Sequence, residues 1–334
     1  MALHSGHSGQ QAAPAVRAVP SARARRRSWS RYSNRTFYLF ISPWLVIGFL
    51  ALTLVPLAYA LGISFTSFDG MSGRWHWLGL QNYAELLGDP DTWWSLERTL
   101  LYTVIAVPLG IAGGLGLALL LNRPLRGIGV FRTILYLPAV VPVVAAAIIW
   151  KNMFDTDAGI VNSILGLVGI QPVIWLQDPT AFAALIVMVL WGMGSGMIIF
   201  LAGLQGIPNE MREAAAMDGA NAWQSFRSVV LPLLTPVLFF QVVTGVIVSL
   251  QTLIQPLLLT PAAGGASGYT QVPRGNYLYM VNVYQQIFDN QRFGYGAALL
   301  WVLFVVLLVF TLLVIRSSTL WVFYEVAQGK GKEG

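Results

Sequence analysis

The sequence predicts an all-α integral membrane protein with six transmembrane helices and both termini in the cytoplasm. Three observations lead there. Of 334 residues, 56% are hydrophobic and only 10% charged, against about 25% charged residues in an ordinary soluble domain. The charges fall between apolar runs that, with one short exception, exceed the roughly 20 residues a helix needs to cross the hydrocarbon. Lys and Arg then divide unevenly between the two sides those runs define. Helices are the expected spanning structure, because backbone groups in lipid must be satisfied within the segment and these runs lack the alternation of barrel strands.

The first run covers about Phe37 to Phe65 and follows a polar head with seven arginines at or before Arg35. A basic head before apolar sequence resembles a secretory signal, and Ala58-Tyr59-Ala60 mimics a cleavage site. No charge occurs between Arg35 and Asp69, however, and that is far beyond the roughly 7 to 15 residues of a signal core, so an uncleaved first span is expected. The second run covers about Thr99 to Leu121, the third, the short one, about Thr133 to Trp150, and the fourth about Ala181 to Leu204. The fifth covers about Leu231 to Leu258 and the sixth about Phe293 to Ile315. No charge separates Arg227 from Arg274, room enough for two spans. The loop composition of Thr260 to Gly268 decides for one, since Pro261, Gly264, Gly265 and Gly268 would not stay helical in lipid.

Six spans place both ends on one side. Fifteen of the 20 Lys and Arg residues then fall on that side, leaving Arg74, Arg98, Lys151, Arg274 and Arg292 on the other. The positive-inside rule makes the richer side cytoplasmic. Residues 1–36 are accordingly expected to be a basic, disordered cytoplasmic tail, 37–320 the six-span domain, and 321–334 a second cytoplasmic tail. The outer segments carry Trp75, Trp77, Trp93, Trp94, Trp150 and Trp175. Rings of that kind anchor at the headgroup layer, with stacking against a sugar as the minority alternative.

Several chemistries are excluded. There is no cysteine, and His4, His7 and His76 are not spaced for a metal site. The basic residues form no aromatic-interleaved patch, so the net charge of +6 does not point to nucleic acid. No GxxxxGK[ST] phosphate loop occurs, so ATP hydrolysis is not expected of this chain. The interiors of the six runs hold no Asp, Glu, Lys, Arg or His, which proton-coupled transporters need at depth. Glu97 with Arg98 and Asp155 with Asp157 read as solvated edges, not as the acid-base cluster of a membrane enzyme.

Between the fourth and fifth runs, on the cytoplasmic side, lies Ile207-Pro208-Asn209-Glu210-Met211-Arg212-Glu213-Ala214-Ala215-Ala216-Met217-Asp218-Gly219-Ala220, closed later by Leu231-Pro232. Pro208 suits a first helical position and Glu210 the positive helix end. The alanines keep the helix thin, and Gly219 can adopt the left-handed conformation that ends it. A second short helix is expected over about Asn221 to Val230. Physics alone leaves two readings open: a docking helix that enters a groove on another protein, or an ordinary connecting loop.

Glu213-Ala214-Ala215, Gly219 and Leu231-Pro232 at this spacing resemble the EAA signature of ABC-importer permeases. The likeness extends from about Phe37 to the C-terminus and is nearest to the maltose-type sugar permeases. It includes Leu119 to Arg123, Phe131 to Pro138, Ile199 to Gln205 and Phe293 to Ala298. One stretch departs: Pro261 to Pro273 replaces a shorter Gly-Gly-Pro loop. The resemblance implies the type I ABC importer permease fold, with coupling helices at 207–230. It assigns ATPase docking to Glu210, Glu213, Ala214, Ala215, Asp218, Gly219, Ala220, Leu231 and Pro232. It also implies the partners: a second homologous permease subunit, two ATPase subunits that bind Mg-ATP, an extracytoplasmic solute-binding protein and membrane lipid, with no cofactor in this chain.

An uncharged path suits a neutral sugar or polyol, which amides, hydroxyls and aromatic faces recognise. Span five supplies Gln241, Ser249, Gln251, Thr252 and Gln255 near Pro256, a residue that would interrupt the helix as midplane sites commonly require. Trp191 and Ser195 in span four are further candidates, among Gly192, Gly194 and Gly196, which also suit close helix packing. Each glutamine could equally bond a neighbouring span. The expected function is that of a multi-pass permease subunit in a bacterial inner membrane, part of an ATP-driven, solute-binding-protein-dependent importer that carries a sugar or related polyol into the cytoplasm. A glycerophosphodiester is the alternative cargo, and an ATP-independent transporter or a passive anchoring subunit the alternative mechanism.

Overall fold

The computed structural model describes residues 36–123, 126–260 and 272–322. The tails expected over 1–36 and 321–334 lie almost wholly outside these residues, as does most of the atypical 261–273 loop. Two compact units divide the chain, Met1–Ala60 and Leu61–Gly334. The described part of the first belongs to helix α1 (Thr36–Ser64), apolar throughout and π-helical over Leu45–Leu54.

The second unit is helical. Among the described residues its only β feature is one bridge between Thr66 and Trp77. The helices are α2 (Gln81–Gly88), α3 (Pro90–Leu121), α4 (Ile128–Val140), α5 (Val143–Met153), α6 (Ile160–Leu167), α7 (Ala181–Trp191) and α8 (Gly194–Gln205). On the loop after α8 stand α9 (Asn209–Met217) and α10 (Ala222–Leu233). There follow α11 (Thr235–Leu250), α12 (Ile254–Leu258), α13 (Tyr279–Tyr284, continued by a π turn over Gln285–Asp289) and α14 (Phe293–Trp321).

Helices α1, α3 and α14 are each long and apolar enough to span a membrane, and so are three bent pairs when each pair is taken together. These pairs are α4 with α5 at 96°, α7 with α8 at 43°, and α10 with α11 at 65°. The third run, expected as one short helix, is thus broken. Val141 is extended (ψ 127°) and is followed by Pro142, and a residue before proline is pushed out of the helical region.

Other bounds also move. Helix α3 begins at Pro90, nine residues before the expected Thr99, because Asp89 caps it: its carboxylate accepts from the Asp91 amide at 3.0 Å and the Thr92 hydroxyl at 2.8 Å. Helix α14 runs past Ile315 to Trp321. Charges locate the edge of the apolar run, whereas a cap locates the end of the helix, and the two differ by turns. Helices α2, α6 and α13 were not anticipated.

Helix α3 is central and packs against α7, α8, α11 and α13. Its approach to α8 is close enough that a Cβ on Gly114 would lie 3.2 Å from backbone atoms of Gly196 and Met197. Small residues permit such crossings where lipid supplies no hydrophobic drive. At one end of this pair a buried cluster joins Leu121, Phe200, Leu204, Ile207, Val230 and Leu234. Another joins α5, α7 and α12 through Ala147, Trp150, Leu185 and Leu257.

Candidate functional site

A cavity of about 460 Å³ opens among α3, α7, α8, α11 and α12. Its wall is apolar over Ala106, Val107, Ile111, Val189 and Ile199, and polar at Tyr102, Ser195, Gln241, Thr244, Ser249, Thr252 and Gln255. No charged residue lines it. Each polar group is placed by a feature of its helix. Gln241 reaches over α8 because residue 196 is glycine: a Cβ there would meet Gln241 Nε2 at 2.9 Å. The Ser249 hydroxyl bonds Thr103 Oγ1 at 2.9 Å and the Val246 carbonyl at 3.0 Å, tying α11 to α3. Such bonds contribute about 0.6 kcal/mol each in bilayer proteins.

Thr252 and Gln255 owe their position to the break between α11 and α12. Pro256 has no amide hydrogen, and its ring displaces the carbonyl four residues earlier. The helix accordingly stops at Leu250 and restarts at Ile254, with Gln251 and Thr252 held by tight bonds to Val248 O and Ser249 O, both 3.2 Å.

Of the sequence-predicted path residues, Ser195, Ser249, Thr252 and Gln255 meet in this one cavity, with Gln241. Gln251 does not join them: the break turns it to an exposed position away from the lining. Trp191 is also elsewhere, set edge-on against Trp150 (5.9 Å) in the buried cluster. Tyr102 and Thr244 escaped the sequence reading. A tyrosine inside an apolar run was the available signal for the first.

The second candidate surface is α9 with α10. Pro208 is the N-cap of α9 (ψ 136°), not its first helical residue. At the other end Gly219 has φ +78°. There the Ala220 amide bonds Ala215 O and the Gly219 amide bonds Ala216 O, each at 3.0 Å, closing the double turn of a Schellman motif. Asn221 then caps α10 reciprocally with Gln224 (2.9 and 2.8 Å).

Helix α9 buries none of its residues. Glu210, Glu213, Ala214, Asp218 and Gly219 are exposed, Ala215 and Ala220 half-buried, and Met217 is 88% exposed beside Trp223 at 67%. Leu231 and Pro232 are half-buried in α10 at the bend into α11. The structure therefore presents the alanine-bearing helix as a largely exposed surface element, with Met217 and Trp223 as apolar tips that the sequence reading overlooked.

Two exposed ion pairs join distant parts of the chain, Arg274 to Asp91 (2.7 Å) and Arg292 to Glu85 (2.6 Å). Trp94 lies between the guanidiniums of Arg98 and Arg274, at 4.4 and 5.3 Å. Burial, reinforced by the Asp91 carboxylate, pushes the Tyr277 hydroxyl upward, so it remains a donor to Gln285. The groups of three or more acidic, histidine or cysteine residues that a metal would need do not occur among the described residues.

Residues 106–321, from the middle of α3 to the end of α14, match the model of the binding-protein-dependent transport system inner membrane component. The chain belongs to this family. It is 39% identical to the probable ABC transporter permease protein YesP of Bacillus subtilis over 88% of this chain and 94% of that one. It is 33% identical to the lactose transport system permease protein LacF of Rhizobium radiobacter, over 86% and 95% of the two chains. With the trehalose/maltose transport system permease protein MalF of Thermococcus litoralis the identity is 33%, over 84% and 92%. A chain in the crystal structure of the bacterial alginate ABC transporter, 22% identical, shares the fold with a TM-score of 0.70 over 89% of this chain and 96% of that one. The protein is thus a multi-pass inner-membrane permease of the ABC importer fold.

Proposed function

We propose that the chain is the permease subunit of an ATP-driven, binding-protein-dependent importer that carries a sugar or related polyol into the cytoplasm. The observation that carries this reading is the chemistry of the cavity, where amides and hydroxyls line an otherwise apolar wall without a charge. Neutral donors and acceptors match the hydroxyls of a carbohydrate. A phosphodiester would need a cationic partner that this lining lacks. Relatives named for lactose and for trehalose/maltose transport support the same class.

The energy comes from partners in this reading. Two ATPase subunits, binding Mg-ATP, receive α9 and α10. A second, homologous permease completes the path, and an external solute-binding protein delivers the sugar. In this reading the three long helices and the three bent pairs supply six spans, α10 forming the cytoplasmic end of its pair and α11 the membrane part, and both termini are cytoplasmic. Nucleotide-dependent closure of the ATPases then biases a two-state membrane core from inward- to outward-facing, and their reopening returns it inward to release the sugar to the cytoplasm.

Purification from native membrane in mild detergent, followed by reconstitution, tests the reading. The expected result is co-purification of two ATPase chains and a second permease, and ATP-dependent sugar uptake once a solute-binding protein is added. Uptake by the lone chain without ATP would refute it.

A further inference from the structure

Helix α9 buries none of its residues, and the Arg212 side chain joins it to the helix that lines the cavity. Arg212 is half-buried while Met211 and Glu213 beside it are exposed. Its Nη2 donates to the Leu204 carbonyl at 3.2 Å. Leu204 is the penultimate residue of α8 and is fully buried in the cluster that also holds Leu121 and Ile207. Its carbonyl belongs to the negative end of that helix, where a cation is favoured.

Helix α8 also supplies Ser195, Gly196 and Ile199 to the cavity wall. At 1.5 Å per residue, Ile199 lies about 8 Å along the axis from Leu204. Arg212 makes no ion pair with a carboxylate among the described residues, so its guanidinium is committed to this helix end. The short connection through Gly206, buried Ile207 and Pro208 fixes where α9 starts. The guanidinium, one turn further on, fixes the angle at which it stands.

We propose that Arg212 is a positioning residue that transmits displacement of α9 to α8, and so to the cavity. The proposal rests on the function inferred above and adds a path between its two surfaces. Arg132 provides an internal comparison. It donates to Leu121 O at 2.8 Å, capping the end of α3 in the same cluster, but it comes from α4, which carries none of the docking surface. Capping as such should therefore be common to both arginines, and transmission particular to Arg212.

The chain contains no cysteine, so N-ethylmaleimide labelling of a single Ser195→Cys reporter can be read in the assembled transporter on this subunit after the subunits are separated. With Arg212 intact, ATP plus vanadate is expected to change the labelling rate. Arg212→Gln should reduce that change about tenfold while ATPase subunits still co-purify and hydrolyse ATP, because one charge-assisted bond is lost and the docking face is kept. Arg212→Lys, which retains a cationic donor, should restore most of it. Arg132→Gln should lower the melting temperature as much as Arg212→Gln does and leave the response whole.

An undiminished nucleotide response in Arg212→Gln overturns the proposal. So does loss of the ATPase subunits from that variant, which would make Arg212 part of the docking surface, and so does an equal loss of response in Arg132→Gln. If the chain with Arg212 intact carries no ATPase subunit at all, the proposed function itself fails, and this inference with it.

Discussion

Gly219 offers the sharpest perturbation of the proposed docking surface. It sits at φ +78°, and a Cβ built there meets no atom within 4 Å. Replacement therefore creates no clash inside this chain, and its cost is conformational. An L-residue in the left-handed region costs roughly 1–2 kcal/mol, more for a β-branched side chain. That is about a 5- to 30-fold loss in the population of the turned-back conformer. Helix α9 has no buried residue to resist the change, so the strain should unwind its last turn and undo the paired bonds to Ala215 and Ala216. Gly219→Val is accordingly expected to lower ATP-driven uptake in proteoliposomes by an order of magnitude at unchanged expression. Gly219→Asn, which tolerates this region far better, should keep most of it. If Gly219→Val transports like the unmodified chain, or if both variants fail equally, the conformational argument is wrong.

Three further outcomes are expected. Gln255→Leu should weaken sugar-stimulated ATP hydrolysis, whereas Gln251→Leu should not, since only Gln255 lines the cavity; the reverse ranking would misplace the site. Gly114→Val should lower the melting temperature in detergent, because a Cβ 3.2 Å from the Gly196 carbonyl carbon forces α3 from α8 at about 1–3 kcal/mol. Asp91→Asn should cost no more than about 1 kcal/mol, because the pair with Arg274 leaves 57% and 51% of its side chains exposed; a larger loss would show that this contact matters more to the fold than its exposure suggests.

Much of this was legible because membrane sequences carry few kinds of signal and each is strong. Runs without charge marked the apolar segments. The left-handed turn followed from the single glycine after three alanines, and the second short helix was expected between that turn and Pro232, although it runs through Pro232 to Leu233. What the sequence hid was direction. Pro256 announced an interrupted helix, yet whether Gln251 or Gln255 would face the cavity depended on how the chain turned at 251–253, and a break resets the helical phase from which such a choice is read. The 96° bend between α4 and α5 was hidden for a related reason. Pro138 and Pro142 both lie in that run, but Pro138 is accommodated inside α4 while Pro142 ends it, so a proline alone does not say which peptide will open. Arg212 shows no role within its motif, because its partner is a carbonyl, and backbone acceptors leave no trace in a sequence. The readable residues are those whose effect is local, and the cavity and its link to α9 are assembled from the others.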